Sequence, residues 1–167
     1  DKHIKADTLW ETVEGYIESN YDTEKLEKIY VHGDGGPWIK NGLDSYRQTV
    51  HVMDGYHFGK RLRALSRAFP TRNVTVVLRR AVRENDKRKA DMFLQSLMVE
   101  ASEKERNKVS EFGTYLMGNW TEIYNLETLD IPGSCTEGQV SHVLSERFSR
   151  NPLGWSKEGL GKLSCIR

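Results

Sequence analysis

Two aspartates carry the most chemistry in this chain. Asp34 closes the apolar run Ile29, Tyr30, Val31, and Asp54 closes Val50, Val52, Met53; each is followed at once by glycine. A carboxylate at a strand end, with a glycine turn behind it, is placed to project into a cleft. Two of them at neighbouring strand ends could bind one hard divalent cation, because Mg2+ takes oxygen ligands and leaves positions open for phosphate. Asp-Gly also marks plain turns, and the dipeptides alone leave both readings open.

The elements around the aspartates narrow the choice. Ile29 to His32 reads as a strand, Gly33 to Gly36 as a turn, and Pro37 starts a short helix carrying Trp38, Ile39 and Leu43. Thr49 to Met53 is the next strand. Strand, short helix, strand in so few residues is a compact βαβ unit, which favours parallel neighbours. Parallel order puts both strand C-termini at one sheet edge, where open α/β sheets carry their ligands. The expected fold class is therefore α/β.

Upstream, Leu9, Val13, Tyr16 and Ile17 predict a helix over 8–20, with Thr8 and Glu11 as a capping box. Downstream of His57 the pattern turns helical. Phe58, Leu62, Leu65 and Phe69 share a face that Pro70 ends. Val74 to Arg83 reads as strand or helix, with Val74, Val77, Leu78 and Val82 leaning helical. Phe93, Leu94, Leu97 and Met98 mark another helix, and Val109, Phe112, Tyr115, Leu116 and Trp120 a further one. Pro132-Gly133 breaks the chain, and Thr136 could cap a last helix that starts at Glu137, with Val140, Val143, Leu144 and Phe148 buried. There the macrodipole favours the Glu137 carboxylate, while His142 and Glu146, four apart, could pair. The organisation read from this is 1–58 for helix, strand, helix, strand, 59–130 for a helical segment, and 131–167 for a final helix with a basic tail.

The formal net charge is only +1, so bulk charge announces neither nucleic acid nor membrane. Its distribution is uneven. Residues 58–89 hold eleven Lys or Arg against Glu84 and Asp86, and residues 91–130 hold eight acidic residues against Lys104, Arg106 and Lys108. The basic block suits a phosphate backbone, or equally a solvated helical face. Cys135 and Cys165 have no metal or disulfide spacing, no apolar run is long enough to span a membrane, and no signal peptide is visible. The expectation is a cytoplasmic setting with no membrane partner. The chain begins with Asp1 and runs straight into helix-like sequence, as a piece of a longer protein would.

Three motifs in order, GDGGPWIKNGL, VMDGYHFGK and GSCTEGQVSHVLSERFSRNPLGWSKEGL, together resemble the ISLre-type insertion-sequence transposases, an uncharacterised bacterial family. The likeness covers nearly the whole chain, including the approach WETVEGYIESNYDTEKLEKIYVHGDG. The Asp54-x-x-His57 spacing also looks like the D-x-x-H signature of Mutator-like transposases. The resemblance implies a ribonuclease-H-like fold, partial here with the first strands missing, interrupted by an all-helical insertion at 59–130. It implies a DDE catalytic set in which Asp34 is the second carboxylate and Glu137 the third, with Asp54 and His57 as the accessory motif. Glu146 is the fallback for the third carboxylate. The first catalytic Asp has no counterpart, since Asp1 and Asp7 sit in or before the first helix rather than on a strand.

The implied chemistry is DNA strand cleavage and strand transfer with Mg2+ (or Mn2+), held by Asp34, Glu137 and Asp54. Two such ions can activate the nucleophile and stabilise the leaving oxygen of an in-line phosphoryl displacement. Water first nicks the transposon end, and the freed 3′-hydroxyl then attacks target DNA. Lys60, Arg61, Arg63, Arg67, Arg147 and Arg150 would hold the duplex through its phosphates. The partners implied are transposon-end and target DNA, with a homo-oligomer open in the transposition complex; the fragment alone is expected to bind metal weakly and cut nothing. A non-catalytic remnant that at most binds DNA is the alternative, and an unrelated two-aspartate hydrolase of a small phosphoester the third reading.

Overall fold

In the computed structural model the elements run α1 (Ala6–Asn20), β1 (Ile29–Gly33), α2 (Pro37–Lys40), β2 (Thr49–Met53), α3 (Gly55–Ala68), α4 (Val74–Arg83), α5 (Lys87–Glu100), α6 (Glu103–Gly118) and α7 (Trp120–Thr128). The chain divides into two compact units, 1–131 and 132–167. The structure describes residues 6–43 and 46–131, all in the first unit. The described part is mixed α/β, mostly helical with one small sheet.

The βαβ unit is present as the spacing predicts. β1 and β2 pair in parallel, with Ile29 opposite Thr49 and Gly33 opposite Met53. Pro37 opens α2, where its missing N–H costs nothing, and Asn41 follows as the C-cap. The edge of β2 away from β1 does not stand bare, because the Asn125 side-chain amide of α7 donates to the His51 carbonyl at 2.9 Å. α1 is fixed through Trp10, whose indole N–H donates to the Trp38 carbonyl at 2.9 Å. Gly42 lies against the same indole and leaves no room for a Cβ.

The five helices after β2 share one apolar core with the end of that strand. Met53, Phe58, Leu62, Leu65, Leu78, Leu97, Leu116 and Ile123 are all buried in it. Each such side chain contributes about 1.5–3 kcal/mol by leaving water, so β2 and the helices hold each other in place. Position 58 lies inside α3 and inside this core.

Several boundaries differ from the sequence expectation. Ala6 and Asp7 are already helical, so Thr8 sits within the first turn of α1 and cannot be its N-cap. α3 begins at Gly55, ahead of His57, because Asp54 supplies the cap. Trp120 belongs to a separate helix. α6 stops at Gly118, and Asn119 turns the chain, its side-chain amide donating back to the Tyr115 carbonyl at 2.7 Å. Val74–Arg83, open between strand and helix in the sequence, is a helix.

Candidate functional site

Asp34 and Asp54 each follow the last residue of a paired strand, and the ladder continues past the strands to reach them. The Asp54 amide donates to the Gly33 carbonyl at 2.7 Å, one step beyond the Gly33–Met53 pair. Neighbouring strands run roughly 4.8 Å apart, so the two aspartates stand side by side at the C-terminal edge of the sheet. Their settings differ. Asp34 is exposed, and its Oδ1 accepts from the Gly36 amide at 3.0 Å. Asp54 is buried, 9% exposed, and its Oδ1 accepts from the His57 amide at 3.0 Å.

The last bond explains the Asp-x-x-His spacing in physical terms. Asp54 is the N-cap of α3, with extended backbone, and residue 57 is the position whose free N–H an N-cap side chain satisfies. The histidine's part in that bond is its backbone amide. Its imidazole packs edge-on against Tyr56 at 5.5 Å.

The far side of the site comes from α6, which the sequence marks only as one helix of the helical segment. The Tyr115 hydroxyl donates to the Met53 sulfur at 3.1 Å, directly beneath the aspartates in the chain. Burial first, and then Asp34 and Asp54, push the Tyr115 phenol up to about 12, with Arg61 pulling the other way. The hydroxyl therefore senses both carboxylates and stays protonated at any ordinary pH. The Arg61 guanidinium stacks 4.5 Å from the centre of the Tyr115 ring. Lys40 of α2 donates to the Gly118 carbonyl at 2.8 Å and pairs with Glu122 at 3.0 Å. Gly35, with φ +89°, faces the Asn119 amide oxygen so closely that a Cβ would collide with it. Nothing in local spacing marks Tyr115, Asn119 or Lys40 for this edge, because their partners are far along the chain.

Of the basic residues singled out in the sequence, Lys60, Arg63 and Arg67 follow one another at three- and four-residue steps on α3, so they form one exposed stripe. Among the described residues none of the three makes an ion pair. Lys60 lies 5.8 Å over the exposed Tyr56 ring. Arg61 turns instead toward α6, beside Tyr115 and a cleft of about 160 Å³ shared with Lys108 and Glu111. Glu137, Glu146, His142, Arg147, Arg150, Cys135 and Cys165 lie outside the described residues.

For a metal ion, the described residues offer two carboxylates, each with one oxygen engaged by a backbone amide and a second oxygen left to coordinate. This all-oxygen donor pair suits a hard divalent cation in kind. Among the described residues no group of three or more His, Cys, Asp or Glu side chains gathers in a metal-binding arrangement. No described helix is long and apolar enough to cross a membrane.

Residues 2–167 match the uncharacterised protein family UPF0236. Three UPF0236 proteins of Caldanaerobacter subterraneus subsp. tengcongensis are similar to the chain, each 42% identical over 167 residues and 98% of this chain, and covered over 35%, 35% and 33% of their own length. The chain thus spans about a third of the curated relatives it matches. The names of the three relatives join eleven, four and two locus labels of that organism. No solved structure matches. This chain belongs to the uncharacterised protein family UPF0236.

Proposed function

We propose that the chain is part of a DDE-type transposase catalytic domain that acts on DNA phosphodiesters in the whole protein. The observation that carries this reading is the pair Asp34 and Asp54, side by side past a parallel ladder that the Asp54 amide extends. The exposed cations of α3 begin within two turns of that pair, where a duplex reaching the carboxylates would lay its phosphates. Relatives named for several loci of one genome fit an element that copies itself.

In this reading the described elements are the later half of a ribonuclease-H-like core, with α3–α7 as its helical insertion. Asp34 and Asp54 would hold Mg2+ or Mn2+; Glu137, the third carboxylate that the resemblance implies, lies outside the described residues. When bound, the ion would polarise the scissile phosphate and lower the barrier to attack by water or a 3′-hydroxyl. The chain's own residues do the rest. The N-cap bond fixes the rotamer of Asp54, the Gly36 amide fixes that of Asp34, and Lys60, Arg63 and Arg67 hold the backbone of the duplex.

Calorimetric titration with Mg2+ and Ca2+ tests the shared site. The unaltered chain should bind weakly, and Asp34→Ala or Asp54→Ala should each abolish the heat while leaving the thermal midpoint within a few degrees. Cation binding of equal strength in the chain and in Asp34→Ala would remove the basis of this reading.

A further inference from the structure

The end of α6 closes on the carboxylate edge through three separate contacts. Tyr115 reaches Met53, Gly118 holds Lys40, and Asn119 packs on Gly35. The three residues they reach, Gly35, Lys40 and Met53, all lie between Asp34 and Asp54 in the chain. The helical segment is thus a wall of the site.

One group on that wall is poorly used. The Tyr115 hydroxyl donates to a thioether, a weak acceptor. An anionic phosphate oxygen is a far stronger acceptor, and bonds to ionised groups are about twice as strong as neutral ones. A phosphate arriving beside two carboxylates also needs donors that offset its repulsion from them. The ring that carries the hydroxyl lies 6.2 Å from the Phe112 ring and has the Arg61 guanidinium 4.5 Å from its centre. Such a donor reaches its acceptor with little ordering left to do.

Resting on the phosphodiester reading above, we propose that Tyr115 is a phosphate-binding residue, donating to a non-bridging oxygen of the DNA held at Asp34 and Asp54, with Arg61 as the residue that positions it. This makes α6 a part of substrate recognition, through a residue of its own, apart from the exposed stripe of Lys60, Arg63 and Arg67 on α3.

The test is fluorescence anisotropy of the full 167-residue chain with a labelled DNA duplex, in Ca2+, over a range of salt concentrations. Tyr115→Phe keeps the ring and its packing and removes only the donor. Its affinity should fall about tenfold or more at every salt concentration, with the salt slope unchanged because no charge is lost. Arg61→Gln should lower affinity with the salt slope unchanged, and the loss should be absent in a Tyr115→Phe background, because Arg61 acts through Tyr115. In an Asp34→Ala background the same Tyr115→Phe change should cost less than threefold, since the phosphate is no longer held there. Equal binding by the chain and Tyr115→Phe, or an equal loss with and without Asp34, overturns the role of Tyr115 and leaves the phosphodiester reading standing. No Ca2+-dependent binding by the unaltered chain overturns both.

Discussion

Helices α3 and α4 follow each other in the chain, look equally basic in sequence, and use their charge in opposite ways. On α4 the three arginines are all engaged. Arg79 and Arg83 both grip Glu127, whose side chain is only 2% exposed, and Arg80 pairs with Glu84 at 2.7 Å. On α3, Lys60, Arg63 and Arg67 face outward with no ion pair among the described residues, and Arg61 stacks on Tyr115. The acidic stretch that follows the basic block is what divides them. Glu100 takes Arg72 and Glu127 takes Arg79 and Arg83, so part of the opposite charge downstream is internal counter-charge for the fold. Between α3 and α4, the cations without such partners are those on the helix that follows Asp54 directly. A charge block in a sequence can therefore hold a paired half and an unpaired half with no boundary between them.

The sharpest way to break this contrast is to strip each helix in turn. Replacing Arg79 and Arg83 together by Met leaves the Glu127 carboxylate buried without a cation, a change that costs about 3–5 kcal/mol. Replacing Lys60, Arg63 and Arg67 together by Met touches exposed positions and should stay within about 1.5 kcal/mol, since surface changes are usually worth no more than about 0.5 kcal/mol each. Urea unfolding measures both. Equal losses would mean that the α3 cations are structural too.

The next effect is on binding. Lys60→Gln, Arg63→Gln and Arg67→Gln combined should lower the slope of log affinity for DNA against log salt by about two to three, one phosphate contact per side chain. Arg80→Gln, on the saturated helix, should leave the slope unchanged. A slope that responds to Arg80 and not to the α3 set would reverse the assignment of the two helices.

How much of this the sequence reveals depends on the range of the interactions. The parallel pairing of β1 and β2 is legible because a short strand–helix–strand run leaves the chain little other choice, and the adjacency of Asp34 and Asp54 follows from it. The helices are legible from their apolar period. Asp54 as an N-cap is a local signal that the chemistry of the Asp-x-x-His spacing hides, since a pattern that names a histidine draws attention to its ring rather than to its amide. Tyr115 is illegible for a different reason. Its spacing with Phe112 and Leu116 marks a core face, and only packing against a strand 62 residues away decides where its hydroxyl goes. Glu127 is hidden in the same way, being 48 and 44 residues from the arginines that hold it.

The smallest expected effect grades the saturated helix itself. Glu84 takes Lys89 at 2.6 Å and Arg80 at 2.7 Å, but half-solvated, unlike Glu127. The Lys89 ammonium first, and then Arg80, hold the Glu84 carboxyl below its ordinary value of 4.5. A carboxyl depressed in the folded chain binds protons more readily in the unfolded one, so the pair stabilises above the ordinary value and the gain is lost as pH falls through the folded value. Glu84→Gln should accordingly unfold at slightly lower urea than the unaltered chain at pH 7, and the two should converge as the pH is taken below that range. A difference that persists unchanged in acid would show that Glu84 acts through packing and not through charge. Convergence would place it at the solvent-screened end of a scale on which Glu127 is the buried end.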